Sequence, residues 1–178
     1  MSSNVKNTSD TIRSIATGGL FIALVFVASM FINLRLPIAS NGGLVHLGNV
    51  PLILGAALYG RKTGAVAGAF GMALFDLVSG WAAWAPFTFI IVGLMGYIIG
   101  VIAHSTGRIS TFRLIMAIIT AAIIKVTGYY AAEVLLYGNW VIPLGSIPGN
   151  LMQMGLAAVI SLPAVRILYP ICHNVQRA

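Results

Sequence analysis

Long apolar stretches separated by short turn-forming clusters run through nearly the whole chain. Six of them indicate helices, at about residues 11–33, 47–59, 63–79, 86–104, 112–136 and 147–169. Because a membrane-spanning helix needs about 20 apolar residues, a chain of 178 residues holds six spans and little else. A composition of 59% hydrophobic and 7% charged residues excludes a water-soluble globule. We therefore predict an all-α integral membrane protein whose six transmembrane helices form a single domain over residues 1–178.

Basic residues are distributed unevenly between the two sides of these predicted spans. With the N-terminus inside, only Arg35 falls outside, and Lys125 lies within a span. The other basic residues fall on the inner side: Lys6, Arg13, Arg61, Lys62, Arg108, Arg113, Arg166 and Arg177. Because cytoplasmic loops are enriched in Lys and Arg, this pattern predicts two cytoplasmic termini, with residues 1–10 as a cytoplasmic tail. No signal-peptide cleavage pattern is evident, so we expect the first span to be retained.

Other function classes find little support in the sequence. The net charge of +7 comes from scattered basic residues without interleaved aromatic residues, so no nucleic-acid partner is predicted. Cys172 is the single cysteine, and neither a GxSxG nor an HExxH motif is present. Residues 55–63 resemble a phosphate-binding loop, but Arg61 displaces the lysine and no strand precedes it, which argues against an ATP site. We predict no enzyme activity, no catalytic residue, no metal and no cofactor.

Strongly polar side chains in the predicted spans are confined to the outer half of the membrane. Such groups cost several kcal/mol in hydrocarbon unless they face a cavity or a partner. Lys125, Tyr129 and Glu133 follow at four-residue steps on one face, and Asn150 and Gln153 share a face of the next span. The candidate substrate-binding residues are His46, Asn49, Asp76, Trp84, Thr88, Lys125, Tyr129, Glu133, Asn150 and Gln153.

The inner half carries only scattered hydroxyl groups, such as those of Thr17, Thr63 and Thr120, which can bond to their own helix backbone. A pocket open to the outside with a closed floor is therefore predicted. This favours a binding component over a self-contained channel or proton-coupled carrier, which would use Asp76, Lys125 and Glu133 and stays the alternative.

Several candidates also have purely structural interpretations. Trp81 and Trp84 could form an interfacial aromatic belt or stack on a heteroaromatic solute. Lys125 could pair with Asp76 or Glu133, or donate to a polar or anionic ligand group. Asn150 and Gln153 could bond between helices, and His46 could be an ordinary loop residue.

Small residues four apart leave flat faces on three predicted helices. The pairs are Gly19 and Ala23, Gly64 and Gly68, and Gly96 and Gly100. Internal packing explains all three pairs, although the first helix could instead dock on a partner.

Three segments carry a resemblance to a known family. They read VHLGNVPLIL at residues 45–54, YGRKTGAVAGAFGMALFDLVSGW at 59–81 and WAPFTFIIVGLMG at 84–96. The chain resembles the substrate-binding S components of energy-coupling factor (ECF) vitamin transporters, and most closely the hydroxymethylpyrimidine or pyridoxine branch. It departs from that pattern at Asn49, where an acidic residue is expected, and at Val92, where a lysine is frequent.

The resemblance implies high-affinity binding of a vitamin or vitamin precursor at the outer face of a bacterial cell membrane. It also implies partners, namely a transmembrane coupling subunit and two cytoplasmic ATPases, which would supply inward release. Gly19 and Ala23 would dock the coupling subunit. The loop at residues 34–45, with a hinge at Gly42 and Gly43, would cover the pocket. Pantothenate, whose carboxylate could use Lys125, is an alternative ligand.

Overall fold

The computed structural model describes residues 2–35, 44–104 and 109–177, without the side chains of residues 2–7, 35 and 173–177. Six α-helices make up most of this part of the chain. They are α1 (Ser2–Phe31), α2 (Asn49–Tyr59), α3 (Arg61–Val78), α4 (Ala85–Ala103), α5 (Thr111–Tyr137) and α6 (Ile147–Arg177). The predicted helical fold is therefore confirmed, although α1 and α6 extend well beyond residues 11–33 and 147–169.

Four segments within the described residues are long and apolar enough to cross a membrane. They are Thr8–Phe31, Ala85–Ala103, Thr111–Tyr137 and Ile142–Cys172. The helix α2 is apolar but only 11 residues long, and α3 carries three charged residues, Arg61, Lys62 and Asp76. Pro163 and Pro170 lie inside α6, where the sequence prediction ended the span at residue 169. Proline is tolerated in membrane helices because neighbouring groups satisfy the carbonyl that it leaves free.

A small β-hairpin follows α1 and was not predicted. Strands β1 (Asn33–Arg35) and β2 (Leu44–His46) pair antiparallel, with Asn33 opposite His46. His46 lies before the predicted second helix at residues 47–59, because its backbone pairs in β2, and α2 begins only at Asn49. The predicted covering loop, with Gly42 and Gly43, lies mostly outside the described residues.

Glycines allow α3 and α4 to pack backbone against backbone. A Cβ atom added at Gly64 would collide with the carbonyl oxygen of Gly96, and one at Gly68 with that of Val92. The α1 pair behaves differently, because Gly19 and Ala23 are both exposed and nothing lies within 4 Å of a Cβ placed at Gly19. Internal packing therefore explains the glycines of α3 and α4, but it is wrong for the pair on α1.

The connection from α5 to α6 is a compact turn. Gly138 ends α5 with a φ of 60°, a left-handed conformation that favours glycine. Asn139 Oδ1 then accepts hydrogen bonds from the backbone N–H groups of Val141 and Ile142. A short 3₁₀ helix, Ile142–Ser146, leads into α6 and buries Ser146.

Candidate ligand-binding site

One cavity collects polar side chains from α3, α4, α5, α6 and the hairpin. It is lined by Leu44, His46, Phe75, Asp76, Trp81, Trp84, Thr88, Lys125, Tyr129, Glu133, Asn150 and Gln153. Nine of the ten candidate residues named from the sequence are in this set, and the tenth, Asn49, bonds to Gln153. The fold therefore brings together side chains that lie more than a hundred positions apart in the chain.

Lys125 lines this cavity and is only 1% exposed. Its Nζ lies 5.0 Å from the centroid of the Tyr129 ring, within the range of a cation–π contact. Its positive charge interacts with the negative charge of Asp76. Among the described residues no direct ion pair joins Lys125 to Asp76 or Glu133, so the structural pairing considered for this lysine does not occupy its ammonium group.

The carboxylate of Asp76 is held by a short hydrogen-bonded chain. The Thr88 side chain bonds to Asp76, and Thr88 Oγ1 lies 3.0 Å from the Tyr129 hydroxyl. The backbone N–H of Trp81 donates to the Asp76 carbonyl oxygen at 2.8 Å, which folds the turn after α3 back over this end of the helix. These contacts fix Asp76, Thr88 and Tyr129 on one side of the cavity.

Glu133 offers an acceptor that the protein leaves unused. The residue is 3% exposed, and its side chain bonds to Ser146. Its Oε2 is buried and has no hydrogen-bond partner among the described residues. An unpaired buried acceptor is costly, and a ligand that donates a hydrogen bond would remove that cost.

Two amides connect α6 to the hairpin and α2. Gln153 Nε2 donates to the Leu44 carbonyl oxygen at 2.6 Å, and Asn49 Nδ2 donates to Gln153 Oε1 at 3.4 Å. The interhelical bonding considered for Gln153 is therefore present, and the residue still lines the cavity. Asn49 Oδ1 is buried without a partner in the described part of the chain.

His46 sits in β2 as a buried, neutral group. Its ring contacts Phe75, with centroids 5.6 Å apart, and its Nδ1 accepts a hydrogen bond from the Gly48 N–H at 3.3 Å. Burial, with a smaller effect from the positive charge of Lys125, lowers the pKa of His46 from 6.5 to about 3. Because Nδ1 is an acceptor, the proton is on Nε2.

Aromatic rings form another wall of the cavity. The Trp84 ring contacts Trp81 at 5.3 Å and Tyr137 at 6.1 Å between centroids. Phe75 and Leu44 also line the cavity and were not candidates. Phe75 directly precedes Asp76, but adjacent helix positions do not share a face, so the sequence did not indicate it. Leu44 reaches the cavity only through the strand pairing that the sequence did not reveal.

The cavity ends on an apolar floor. One helical turn further from its mouth, the buried side chains are those of Met72 on α3, Val92 on α4, Ala121 on α5 and Ala157 on α6. Polar cavity residues are thus followed at four-residue steps by apolar ones. This agrees with the expectation of a pocket that is closed toward the far side.

Comparisons with known proteins found a matching family and similar proteins. Residues 9–170 match the family described as ECF-type riboflavin transporter, S component. The thiamine precursor transporter HmpT of Lactococcus lactis subsp. cremoris (strain MG1363) is 23% identical over 163 residues, which cover 92% of this chain and 89% of that protein. A protein of Pyrococcus woesei described as "Uncharacterized protein in gap 3'region" is 34% identical over 114 residues, or 64% of this chain and 74% of that protein.

A solved structure has the same fold. Its title is "Structure and mechanism of the S component of a bacterial ECF transporter", and it matches with a TM-score of 0.68 at 20% identity over 90% of this chain and 98% of that one. The family match, together with this shared fold, confirms the resemblance found in the sequence. The chain belongs to the ECF-type riboflavin transporter S component family, whose members are vitamin-binding membrane subunits that work with a coupling subunit and ATPases and are not enzymes.

Proposed function

We propose that this S component binds a small heteroaromatic vitamin precursor, hydroxymethylpyrimidine or pyridoxine, for ATP-driven import. The observation that carries the proposal is the convergence of nine predicted polar and aromatic residues on one cavity around the buried Lys125. Of these two ligands, hydroxymethylpyrimidine is supported by the similarity to a protein described as a thiamine precursor transporter.

The polar groups of the cavity match the hydrogen-bonding capacity of such a ring. Lys125 provides a cationic donor, and Glu133 Oε2 provides an acceptor with no protein partner in the described residues. Asn150 and Gln153 can donate and accept, while Trp84 and Tyr129 flank the ring. A substituted pyrimidine or pyridine carries ring nitrogen acceptors together with hydroxyl or amino donors, so it can satisfy both kinds of group.

The size of the cavity favours a single ring. Its volume is about 70 Å³, which is small for the three fused rings and sugar-like chain of riboflavin, the vitamin in the name of the matching family. Pantothenate, whose carboxylate would use Lys125, is the second ligand to compare.

We further propose that all six helices span the membrane with both termini in the cytoplasm, and that Gly19 and Ala23 dock the coupling subunit. The Lys and Arg distribution supports the orientation. The exposure of Gly19 and Ala23 supports the docking role, since a flat, unoccupied helix face allows close approach of another helix.

Calorimetric titration of the purified chain in detergent tests the ligand. Hydroxymethylpyrimidine, pyridoxine, thiamine, pantothenate and riboflavin are titrated in turn. We expect submicromolar binding of hydroxymethylpyrimidine or pyridoxine and much weaker binding of riboflavin. Riboflavin as the tightest ligand would contradict the choice of ring, and no binding tighter than micromolar to any of the five would contradict the proposed function.

A further inference from the structure

A second cavity lies at the opposite end of the bundle from the ligand site. It has a volume of about 600 Å³ and is formed around the start of α3, with Ser14 of α1, Tyr59 of α2 and His104 at its border. Thr63 in this cavity and Asp76 in the ligand site are both on α3, so the two are separated by about 20 Å at a rise of about 1.5 Å per residue. The second cavity is therefore separate from the ligand site.

The helix α3 begins in this cavity without a cap. Gly60, with a φ of 91°, separates α2 from α3, and within the described residues no side chain caps the new helix. The first helical hydrogen bond of α3 is donated by the N–H of Gly64 to the Gly60 carbonyl oxygen. The N–H groups before Gly64 have no acceptor within the helix, which gives this end a partial positive charge and favours an anion.

Thr63 provides an independent indication of a ligand. Its side chain is 93% buried, since only 7% is exposed, and it lines both this cavity and an adjoining one of about 510 Å³. The hydroxyl groups of Ser79, Thr120 and Thr127 each donate to a carbonyl oxygen four residues earlier. Within the described part of the chain the Thr63 hydroxyl makes no such bond. The residue is buried, and its hydroxyl, unpaired among the described residues, is a donor that faces the cavity.

The charges around this cavity are positive. Arg61 and Lys62 line it, and none of its lining residues in the described chain is acidic. The Arg61 guanidinium lies 5.7 Å from the centroid of the Tyr97 ring, a contact with the ring face that leaves its N–H edge able to donate. Arg13 and Asp10 both line the adjoining cavity.

We propose that the start of α3 binds a phosphate group, carried by an anionic phospholipid of the cytoplasmic leaflet or free in solution. The backbone N–H groups, the Thr63 hydroxyl and the side chains of Arg61 and Lys62 would bind it. The segment at residues 55–63 resembles a phosphate-binding loop but lacks its preceding strand, since α2 takes that place. A nucleotide is therefore not expected. The hydrogen-bond donors of residues 60–63, the last four of this segment, remain.

Thermal unfolding of the full chain in detergent tests this site. The midpoint is followed against increasing dioctanoyl phosphatidylglycerol, dioctanoylglycerol and inorganic phosphate. We expect saturable stabilisation by phosphatidylglycerol and none by dioctanoylglycerol, which has the same chains without the phosphate. Additional stabilisation by inorganic phosphate would identify the free anion as a ligand. Equal effects of the two lipids, with no effect of inorganic phosphate, would overturn the proposal.

Matched variants locate the effect. Thr63→Val should weaken the apparent affinity for phosphatidylglycerol about tenfold, the effect of one hydrogen bond to a charged group, whereas Thr63→Ser should retain it. Thr120→Val is the control, because its hydroxyl bonds to the Met116 carbonyl oxygen.

The charges are tested in the same way. Arg61→Gln combined with Lys62→Gln should abolish the stabilisation, and Arg166→Gln, outside the cavity, should not. If Thr63→Val fails to fold, the comparison of these charge variants tests the proposal instead. Equal behaviour of the double variant and Arg166→Gln would overturn the proposal. Vitamin titration of the same variants should be unchanged, so failure of this site and failure of the proposed function remain distinguishable.

Discussion

Among the residues that the structure describes, Lys125 is the largest side chain that the fold buries completely. A buried ammonium group is costly unless nearby negative or polar groups compensate it. Asp76 compensates it through charge and Tyr129 through its ring face, without a direct ion pair in the described structure. The lysine is therefore held in place while its donors remain available to a ligand.

Lys125→Met tests this role, because methionine keeps most of the length of the side chain and removes its charge. We expect vitamin affinity to fall at least about tenfold, since a hydrogen bond to a charged group is lost. Titration calorimetry measures the affinity, and thermal unfolding in detergent verifies the fold. Arg166→Gln, which removes a positive charge outside the cavity, is the control. Unchanged affinity of Lys125→Met would mean that this lysine has a structural role only.

His46 predicts a pH dependence of stability. Its pKa is about 3 in the folded protein and about 6.5 when unfolded, so below pH 6.5 the unfolded state takes up a proton that the folded state excludes. The free energy of unfolding should therefore fall with decreasing pH by up to about 1.4 kcal/mol per unit between these values.

The variant His46→Gln should lose less stability than the native protein between pH 7 and pH 4.5. Unfolding midpoints measured in detergent at both pH values provide the comparison. Parallel losses in the two proteins would show that His46 accepts a proton without disturbing the fold.

At the scale of elements, the contact of α3 with α4 depends on missing side chains. Gly96→Ala places a Cβ against the backbone of Gly64, and such overpacking costs about 1–3 kcal/mol. We expect a clearly lower unfolding midpoint for this variant. Gly155→Ala, where nothing lies within 4 Å of the added Cβ, is the matched control and should be neutral or slightly stabilising. Equal midpoints for the two variants would mean that α3 and α4 can separate without cost.

Substitutions at the exposed pair on α1, Gly19 and Ala23, should affect transport rather than folding. Gly19→Leu or Ala23→Leu should abolish vitamin uptake by cells that contain the coupling module, because a bulky side chain prevents close helix approach. Vitamin binding by the purified variants should be unchanged. Gly155→Leu on α6 serves as a control of equal size. Loss of binding together with uptake would indicate a folding role for this face.

The helices could be predicted because apolar runs are local in sequence, but their ends could not. Backbone pairing in the hairpin delays the start of α2 to Asn49, and α6 continues past Pro163 and Pro170. The sequence also did not show which pairs of small residues pack internally. Pairs with the same four-residue spacing are exposed on α1 and buried on α3. The spacing describes one helix, whereas packing requires a partner surface.

At the scale of the whole molecule, the apolar floor of the cavity predicts that the chain binds the vitamin but does not transport it alone. Proteoliposomes that contain this chain alone should show no flux of the vitamin, because Met72, Val92, Ala121 and Ala157 close the route beyond the polar residues. Addition of the coupling subunit and its ATPases with ATP should start transport. Flux through the chain alone would favour the proton-coupled carrier that Asp76, Lys125 and Glu133 could otherwise form.

The sequence by itself determined the membrane class, the six helices and the identity of nearly all polar residues of the cavity. These follow from hydropathy and from the high cost of polar groups in hydrocarbon, which both act residue by residue. Only the tertiary structure decided that Leu44 and Phe75 join the cavity, that Asn49 reaches it through Gln153 and that Glu133 keeps a free oxygen. Such contacts join residues up to 109 positions apart, so they depend on how the helices and the hairpin pack together.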